Sequence, residues 1–193
     1  MTQRRAVAVG VGIPILFFVA LLVWGTTQTG GQQGRPGVND QYGEVTLSVA
    51  QDADFQLATL DGGVISLSDL RGKVVVVDFW SSWCGPCRAE GPALADTYRK
   101  WRERGVEFVG IAIWDTETAV QDFIDRNGIE YTNGMDDRGA IAIDFGVRGI
   151  PEKFFVNADG QIVKKVVGPN TRSSLDQILT ELTDDALGIT AAR

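Results

Sequence analysis

Only two residues in this 193-residue chain offer redox chemistry: Cys84 and Cys87, in Trp83-Cys84-Gly85-Pro86-Cys87. The chain contains no histidine. That excludes a Cys–His protease pair, a Ser-His-Asp triad and any His-ligated metal or haem. With no second cysteine pair, a four-thiolate zinc or iron–sulfur site is also excluded, and no metal or other cofactor is expected. The two thiols are left to react with each other. A spacing of three along a helix puts both sulfurs on one face, within bonding distance. The bland alternative is a structural staple in an exported domain. Such a bridge closes only about four residues, so it removes little entropy from the unfolded chain. It makes a poor staple and a good redox switch.

The elements flanking the dithiol should position it. Val74-Val75-Val76-Val77-Asp78-Phe79-Trp80 is an apolar run, as expected of a central strand buried on both faces. From Gly85 to about Arg104 the pattern turns helical, with Pro86 in the first turn and a Gly91-Pro92 step expected to kink the helix. The cysteines therefore sit where a buried strand gives way to a helix N-terminus. Unpaired amides and the helix dipole there favour a thiolate. Cys84 is expected to be the more acidic, more exposed sulfur and the nucleophile, with Cys87 shielded and resolving.

Three further positions bear on this chemistry. Asp78 lies within the apolar run; if buried its pKa should rise, making it a proton acceptor for Cys87, and otherwise it marks an outward-facing strand end. Glu90 follows Cys87 by three residues on the same helical face. It either tunes the dithiol or is a solvated glutamate favoured by the dipole. Pro151 follows Gly146-Val147-Arg148-Gly149-Ile150 and is either a cis proline in a tight turn or a trans proline that starts a strand.

The remaining pattern is alternating. A hairpin is expected through Asp61-Gly62-Gly63, and a short helical turn at Ser68-Asp69-Leu70. Further on come a buried strand over 106–113, an amphipathic helix over 116–127 and a short helix near 137–145. A second hairpin turns at Ala158-Asp159-Gly160, and a last helix over 172–187 carries Leu175, Ile178, Leu179 and Leu182 as its core stripe. Together they describe one α/β sandwich with a mixed sheet.

Ahead of this domain, residues 6–24 form 19 consecutive uncharged residues behind Arg4 and Arg5. That is long enough to cross a bilayer, and the arginines orient everything after Trp24 outward. A cleaved signal peptide is the alternative, with only a poor cleavage site at Trp24-Gly25-Thr26-Thr27. Residues 25–43, with six glycines and almost nothing apolar, read as a flexible linker. The expected organisation is a transmembrane signal-anchor at 1–24, a linker at 25–43 and a domain over 44–188. The N-terminus would be cytoplasmic and the domain extracytoplasmic. Beyond the two N-terminal arginines, 16 basic residues face 25 acidic ones. That balance argues against nucleic acid as a partner.

With these residues in place, the chain resembles the thioredoxin superfamily. Within it, the resemblance is to the exported, membrane-anchored thiol–disulfide reductases of the TlpA, ResA and CcmG (DsbE) kind, and it runs from about Asp54 to Leu182. It is carried by Phe79-Trp80-Ser81-Ser82-Trp83-Cys84-Gly85-Pro86-Cys87-Arg88-Ala89-Glu90 and by Gly146-Val147-Arg148-Gly149-Ile150-Pro151-Glu152. The entry segments Asp54–Gly62 and Leu67–Lys73 add to it. The resemblance implies a thioredoxin-like three-layer sandwich with an N-terminal β-hairpin extension. It also implies a nucleophilic Cys84, a resolving Cys87, a cis Pro151 beside the dithiol, and Glu90 and Glu152 lining one acidic groove. Asp78 departs from the asparagine common in this branch and matches the buried acid of thioredoxin, as Gly85-Pro86 matches its dipeptide. Both lean towards reduction.

The implied partners are disulfides of exported proteins, foremost the haem-attachment cysteines of apocytochrome c, with electrons from a membrane donor of the CcdA/DsbD kind. Reduction of copper-site cysteines in oxidase assembly, general disulfide reduction, disulfide formation and a non-catalytic interaction module stand as alternatives. Peroxiredoxin chemistry is disfavoured because Ser81 occupies the position where that chemistry needs threonine.

Overall fold

The computed structural model describes residues 52–186 continuously, together with 15, 17–21, 24, 38, 39 and 43–45. The chain divides into two units, Met1–Arg35 and Pro36–Arg193. In the first, Ile15, Phe17, Phe18, Val19, Leu21 and Trp24 are helical and exposed. Among the described residues no helix is long and apolar enough to cross a membrane. Most of the uncharged run over 6–24 lies outside the described residues.

The second unit is built on a six-stranded sheet in the order β1-β8-β7-β4-β5-β6. Its strands are β1 (Gly43–Val45), β4 (Val74–Trp80), β5 (Val106–Ile113), β6 (Thr132–Asp136), β7 (Glu152–Val156) and β8 (Ile162–Val167). β2 (Gln56–Ala58) and β3 (Val64–Ser66) form the separate hairpin. β4 and β5, and β5 and β6, run parallel; β7, β8 and β1 are added antiparallel. All seven residues of β4 are buried, which is why that stretch reads as a continuous apolar run. The helices are α1 (Gly85–Trp101), α2 (Glu117–Asn127), α3 (Ala140–Asp144) and α4 (Arg172–Ala186).

Alternation along the strands assigns two packing layers. Trp80 turns to the face covered by α1 and α2, where its ring meets Phe123 at 4.9 Å. Phe79 turns to the other face, where Phe145 packs against Phe55, Phe79 and Phe154. Fully burying each such aromatic contributes about 1.5–3 kcal/mol. Gly134 permits the hairpin to dock on β6, since a Cβ there would collide with the Ala58 carbonyl and lie 2.6 Å from Leu57 Cγ.

Three departures from the sequence pattern matter. α1 stops at Trp101 and a 3-10 turn over Arg102–Arg104 follows, closed by Gly105 at φ 77°. β6, Thr-Asn-Gly-Met-Asp, has no apolar run; pairing with β5 and a bridge from Thr59 to Gly134 make it a strand. Within the stretch read as linker, Gly43 opens β1 against Val167, and Val38 bridges Ile150. Main-chain hydrogen bonds to open sheet edges order these residues, and composition carries no trace of such bonds.

Candidate active site

Residues 81–84 join the C-terminal end of β4 to α1, and neighbouring loops hold them from several sides. Ser81 Oγ donates to the Ile113 carbonyl. The Ser82 amide and hydroxyl donate to the Asp115 carboxylate at 2.5 and 3.1 Å. Trp83 Nε1 donates to the Trp114 carbonyl at 2.8 Å. Trp114 itself is 54% exposed and has φ 54°, left-handed backbone that a bulky side chain rarely adopts. Two tryptophans thus stand at the rim, Trp83 being 39% exposed. Trp114 and Asp115 drew no notice from the sequence, where they follow a strand as an ordinary loop.

Cys84 is the N-cap of α1 and is joined to Cys87 by a disulfide, with 5.3 Å between the Cα atoms. Its sulfur accepts the Cys87 amide at 3.2 Å, so one of the orphan donors of the helix terminus points at it. Pro86 fills the first turn, where its missing N–H costs nothing. Gly85 meets nothing within 4 Å where a Cβ would be, so no steric need dictates glycine there. The expectation of an exposed Cys84 is not met in this oxidised state. Cys84 is 0% exposed and Cys87 3%, because the capping geometry and the bond to Cys87 turn the sulfur inward.

Beneath the dithiol lies a buried charge cluster. The register pairs Asp78 on β4 with Lys153 on β7. Lys153 Nζ reaches Glu90 Oε1 on α1 at 2.7 Å, the Gly168 carbonyl at 3.4 Å and Asp78 Oδ1 at 3.5 Å. The last contact falls short of hydrogen-bond geometry and leaves that oxygen without a hydrogen-bond partner. Glu90 Oε2 accepts the Asn170 amide at 2.7 Å. Asp78 and Glu90 are thus neither an outward strand end nor a solvated helix residue.

Burial pushes the Asp78 carboxyl up, against the pull of Lys153. Burial likewise raises Glu90, to about 7, with the Lys153 ammonium opposing and Asp78 adding to the rise. For Lys153, burial works against the charge, but Glu90 and Asp78 outweigh it and hold the ammonium above its ordinary value. Burial, and then these two carboxylates, also push the Tyr131 hydroxyl well up. Lys153 escaped the sequence reading. Its signal was a lysine directly followed by the apolar Phe154-Phe155-Val156, two residues after Pro151.

The Ile150–Pro151 peptide is cis. Glu152 pairs with Phe79 in the β4–β7 ladder, which sets Pro151 at the end of the sheet where β4 runs into the dithiol loop. The shared acidic groove is corrected by the pleat. Glu152 and Lys153 are successive strand residues and face opposite ways. Glu152 Oε2 pairs with Lys165 at 2.6 Å, and Oε1 accepts the Arg148 and Gly149 amides at 3.1 and 3.3 Å. It braces the approach to Pro151 from the far face, while Glu90 sits on the dithiol face. Chemically, the site is a dithiol–disulfide couple at a helix N-terminus, one helical turn from a carboxyl that titrates near neutrality.

Comparison with known proteins gives the family and the fold. The AhpC/TSA family matches residues 49–165. The thiol-disulfide oxidoreductase ResA of Bacillus anthracis is 33% identical over 138 residues, 71% of this chain and 80% of that protein. ResA of Bacillus subtilis is 34% identical over 134 residues, 69% and 75% of the two chains. Among solved structures, a thioredoxin-family thiol:disulfide interchange protein from Chlorobium tepidum superposes with a TM-score of 0.64 at 30% identity, covering 73% of this chain and 99% of that one. A secreted Mycobacterium tuberculosis disulfide oxidoreductase homologous to DsbE superposes at 0.61 with 30% identity, covering 66% and 96%. The chain belongs to the AhpC/TSA family, has the thioredoxin-like fold, and is a thiol–disulfide oxidoreductase of the ResA/DsbE type.

Proposed function

We propose that this oxidoreductase works as a reductant outside the cytoplasm, tethered by its N-terminal apolar run, with Cys84 as nucleophile and Cys87 as resolving thiol. The Asp78–Lys153–Glu90 cluster carries the reading. Carboxylates one turn below Cys87 oppose a thiolate there, so the reduced form lacks the stabilisation that makes strong oxidants. A dithiol whose reduced form is not favoured gives its electrons away.

From the dithiol state, the Cys84 thiolate attacks one sulfur of a substrate disulfide. That S–S bond breaks, a Cys84–substrate disulfide forms, and the departing sulfur takes up a proton. Cys87 then passes its proton to the carboxylate cluster and attacks the Cys84 sulfur. The second substrate thiol is released, Cys84–Cys87 is left oxidised, and two electrons have moved to the substrate. Trp83 and Pro151 flank the exchanging sulfurs, Gly85 and Pro86 set the start of the helix, and Glu152 fixes the loop before Pro151. A membrane dithiol donor of the CcdA/DsbD kind restores the pair. The favoured substrate is the haem-attachment disulfide of an apocytochrome c. The DsbE-like and ResA relatives support this assignment, and the secreted relative and the Arg4-Arg5 run support the location.

Trapping tests it. Cys87→Ala in the full-length chain should accumulate partners through Cys84 that a reductant releases, apocytochrome c among them. Cys84→Ala should accumulate none. Equal capture by both variants, or by neither, overturns the role assignment.

A further inference from the structure

Beyond Pro151, both sides of β7 are occupied, by β4 and by β8. Ile150 is different. It precedes the sheet, at the end where β4 runs into the dithiol loop, and its main chain is not part of either ladder. The chain itself takes that position. Val38 forms a parallel bridge with Ile150, the Asn39 amide donates to the Ile150 carbonyl at 2.5 Å, and Asn39 Nδ2 donates to the Pro151 carbonyl at 3.3 Å. Val38 also packs, half-buried, against the core. The place of this contact matters: the β4–β7 register sets Ile150–Pro151 at the end of the sheet where β4 runs into the dithiol loop, so the strap fills a main-chain edge at the dithiol end of the sheet.

We propose that Val38–Asn39 is an internal strap: it occupies the main-chain edge at Ile150, the open one at the dithiol end of the sheet since the Pro151 carbonyl already accepts the Gly168 amide at 2.8 Å, and it must open before an extended polypeptide can pair there and exchange. The proposal rests on the reading of Cys84 as nucleophile. The strap is suited to yielding. Its two residues are half-buried rather than part of the core ladder, and among the described residues its hydrogen bonds are those that Asn39 gives to Ile150 and Pro151. An incoming extended peptide offers the same donor and acceptor pattern, so displacement exchanges like for like. No bond is made or broken by the strap; it changes access only. A small disulfide without a backbone has no use for the edge and is indifferent to it.

The test uses the full-length chain with Asn39→Pro, which deletes the N–H given to Ile150. The rate constant for exchange with a short disulfide-bonded peptide should rise about fivefold, the worth of one main-chain hydrogen bond, while exchange with hydroxyethyl disulfide stays unchanged. An unchanged or lower peptide rate overturns the strap. Exchange can be run in either direction, reducing a disulfide peptide or oxidising a dithiol one. A failure of the reductant reading then shows as the preferred direction, and the strap is read from the variant-to-native ratio in either. Should Asn39→Pro fail to fold, hydrogen exchange at the Asn39 amide decides. Its protection should be lost when Cys84 of Cys87→Ala carries the peptide in a mixed disulfide, and persistence of that protection contradicts the strap.

Discussion

Replacing Lys153 by Met removes a buried ammonium from between two buried carboxyls while keeping an unbranched side chain of similar length. In the native chain Glu90 keeps its proton to about pH 7, well above its ordinary value of 4.5, because burial raises it. A carboxyl raised in the folded state contributes stability that is present at low pH and is lost as pH rises through the folded pKa. The Glu90 contribution to native stability therefore falls between about pH 4.5 and 7, by up to about 1.4 kcal/mol per pH unit. Lys153 holds both Glu90 and Asp78 below where burial alone would put them. Without it, the folded variant keeps protons beyond pH 7, and each retained proton costs about 1.4 kcal/mol for every further pH unit. At pH 6 the carboxyls of the variant are neutral and the loss is smaller than the roughly 3–5 kcal/mol expected when a buried charge is left unpaired. The Glu90 part of the destabilisation should thus grow by about 1 kcal/mol between pH 7 and 8, because native Glu90 is still half protonated at pH 7. Denaturant unfolding of the oxidised full-length chain at pH 6, 7 and 8, followed through its five tryptophans, reads this directly. A destabilisation that is constant or shrinks with pH would refute the claim that Lys153 keeps these carboxylates ionised.

Glu90→Gln keeps the shape of the cluster and removes its titrating group. The native resolving step should speed up as pH rises through about 7, where Glu90 becomes a proton acceptor. The variant should lose that rise in rapid-mixing kinetics; an unaltered profile would leave Asp78 as the acceptor. Gly110→Ala should destabilise by about 1–3 kcal/mol in thermal or denaturant unfolding, because the new methyl collides with Asn133 Oδ1 and lies 2.9 Å from Trp80 Nε1. That breaks the buried Trp80–Asn133 hydrogen bond beside the dithiol loop. A stability change below about 0.5 kcal/mol would show the site repacks freely.

How much was legible in the sequence depended on whether periodicity or pairing made the structure. β4 announced itself by seven apolar or buried positions, and α4 by its stripe of Leu175, Ile178, Leu179 and Leu182. β1 and β6 have no such pattern, since neighbouring main chain rather than side-chain burial makes them strands. The dithiol was plain because two cysteines with no histidine leave little else to do. Lys153 was hidden because a lysine in a strand reads as an exposed position until the register sets it against Asp78 and α1 sets it against Glu90. Glu152 was misplaced for a related reason: a motif keeps two acids in mind together, while the pleat sends them to opposite faces.

The most direct test of the central claim is the reduction potential of Cys84–Cys87 in the full-length chain, equilibrated against a dithiol–disulfide couple of known potential. A reductant whose Cys87 lies above buried carboxylates should sit near thioredoxin, at about −270 mV. A value near −120 mV, that of a strong disulfide-forming oxidant, would contradict it.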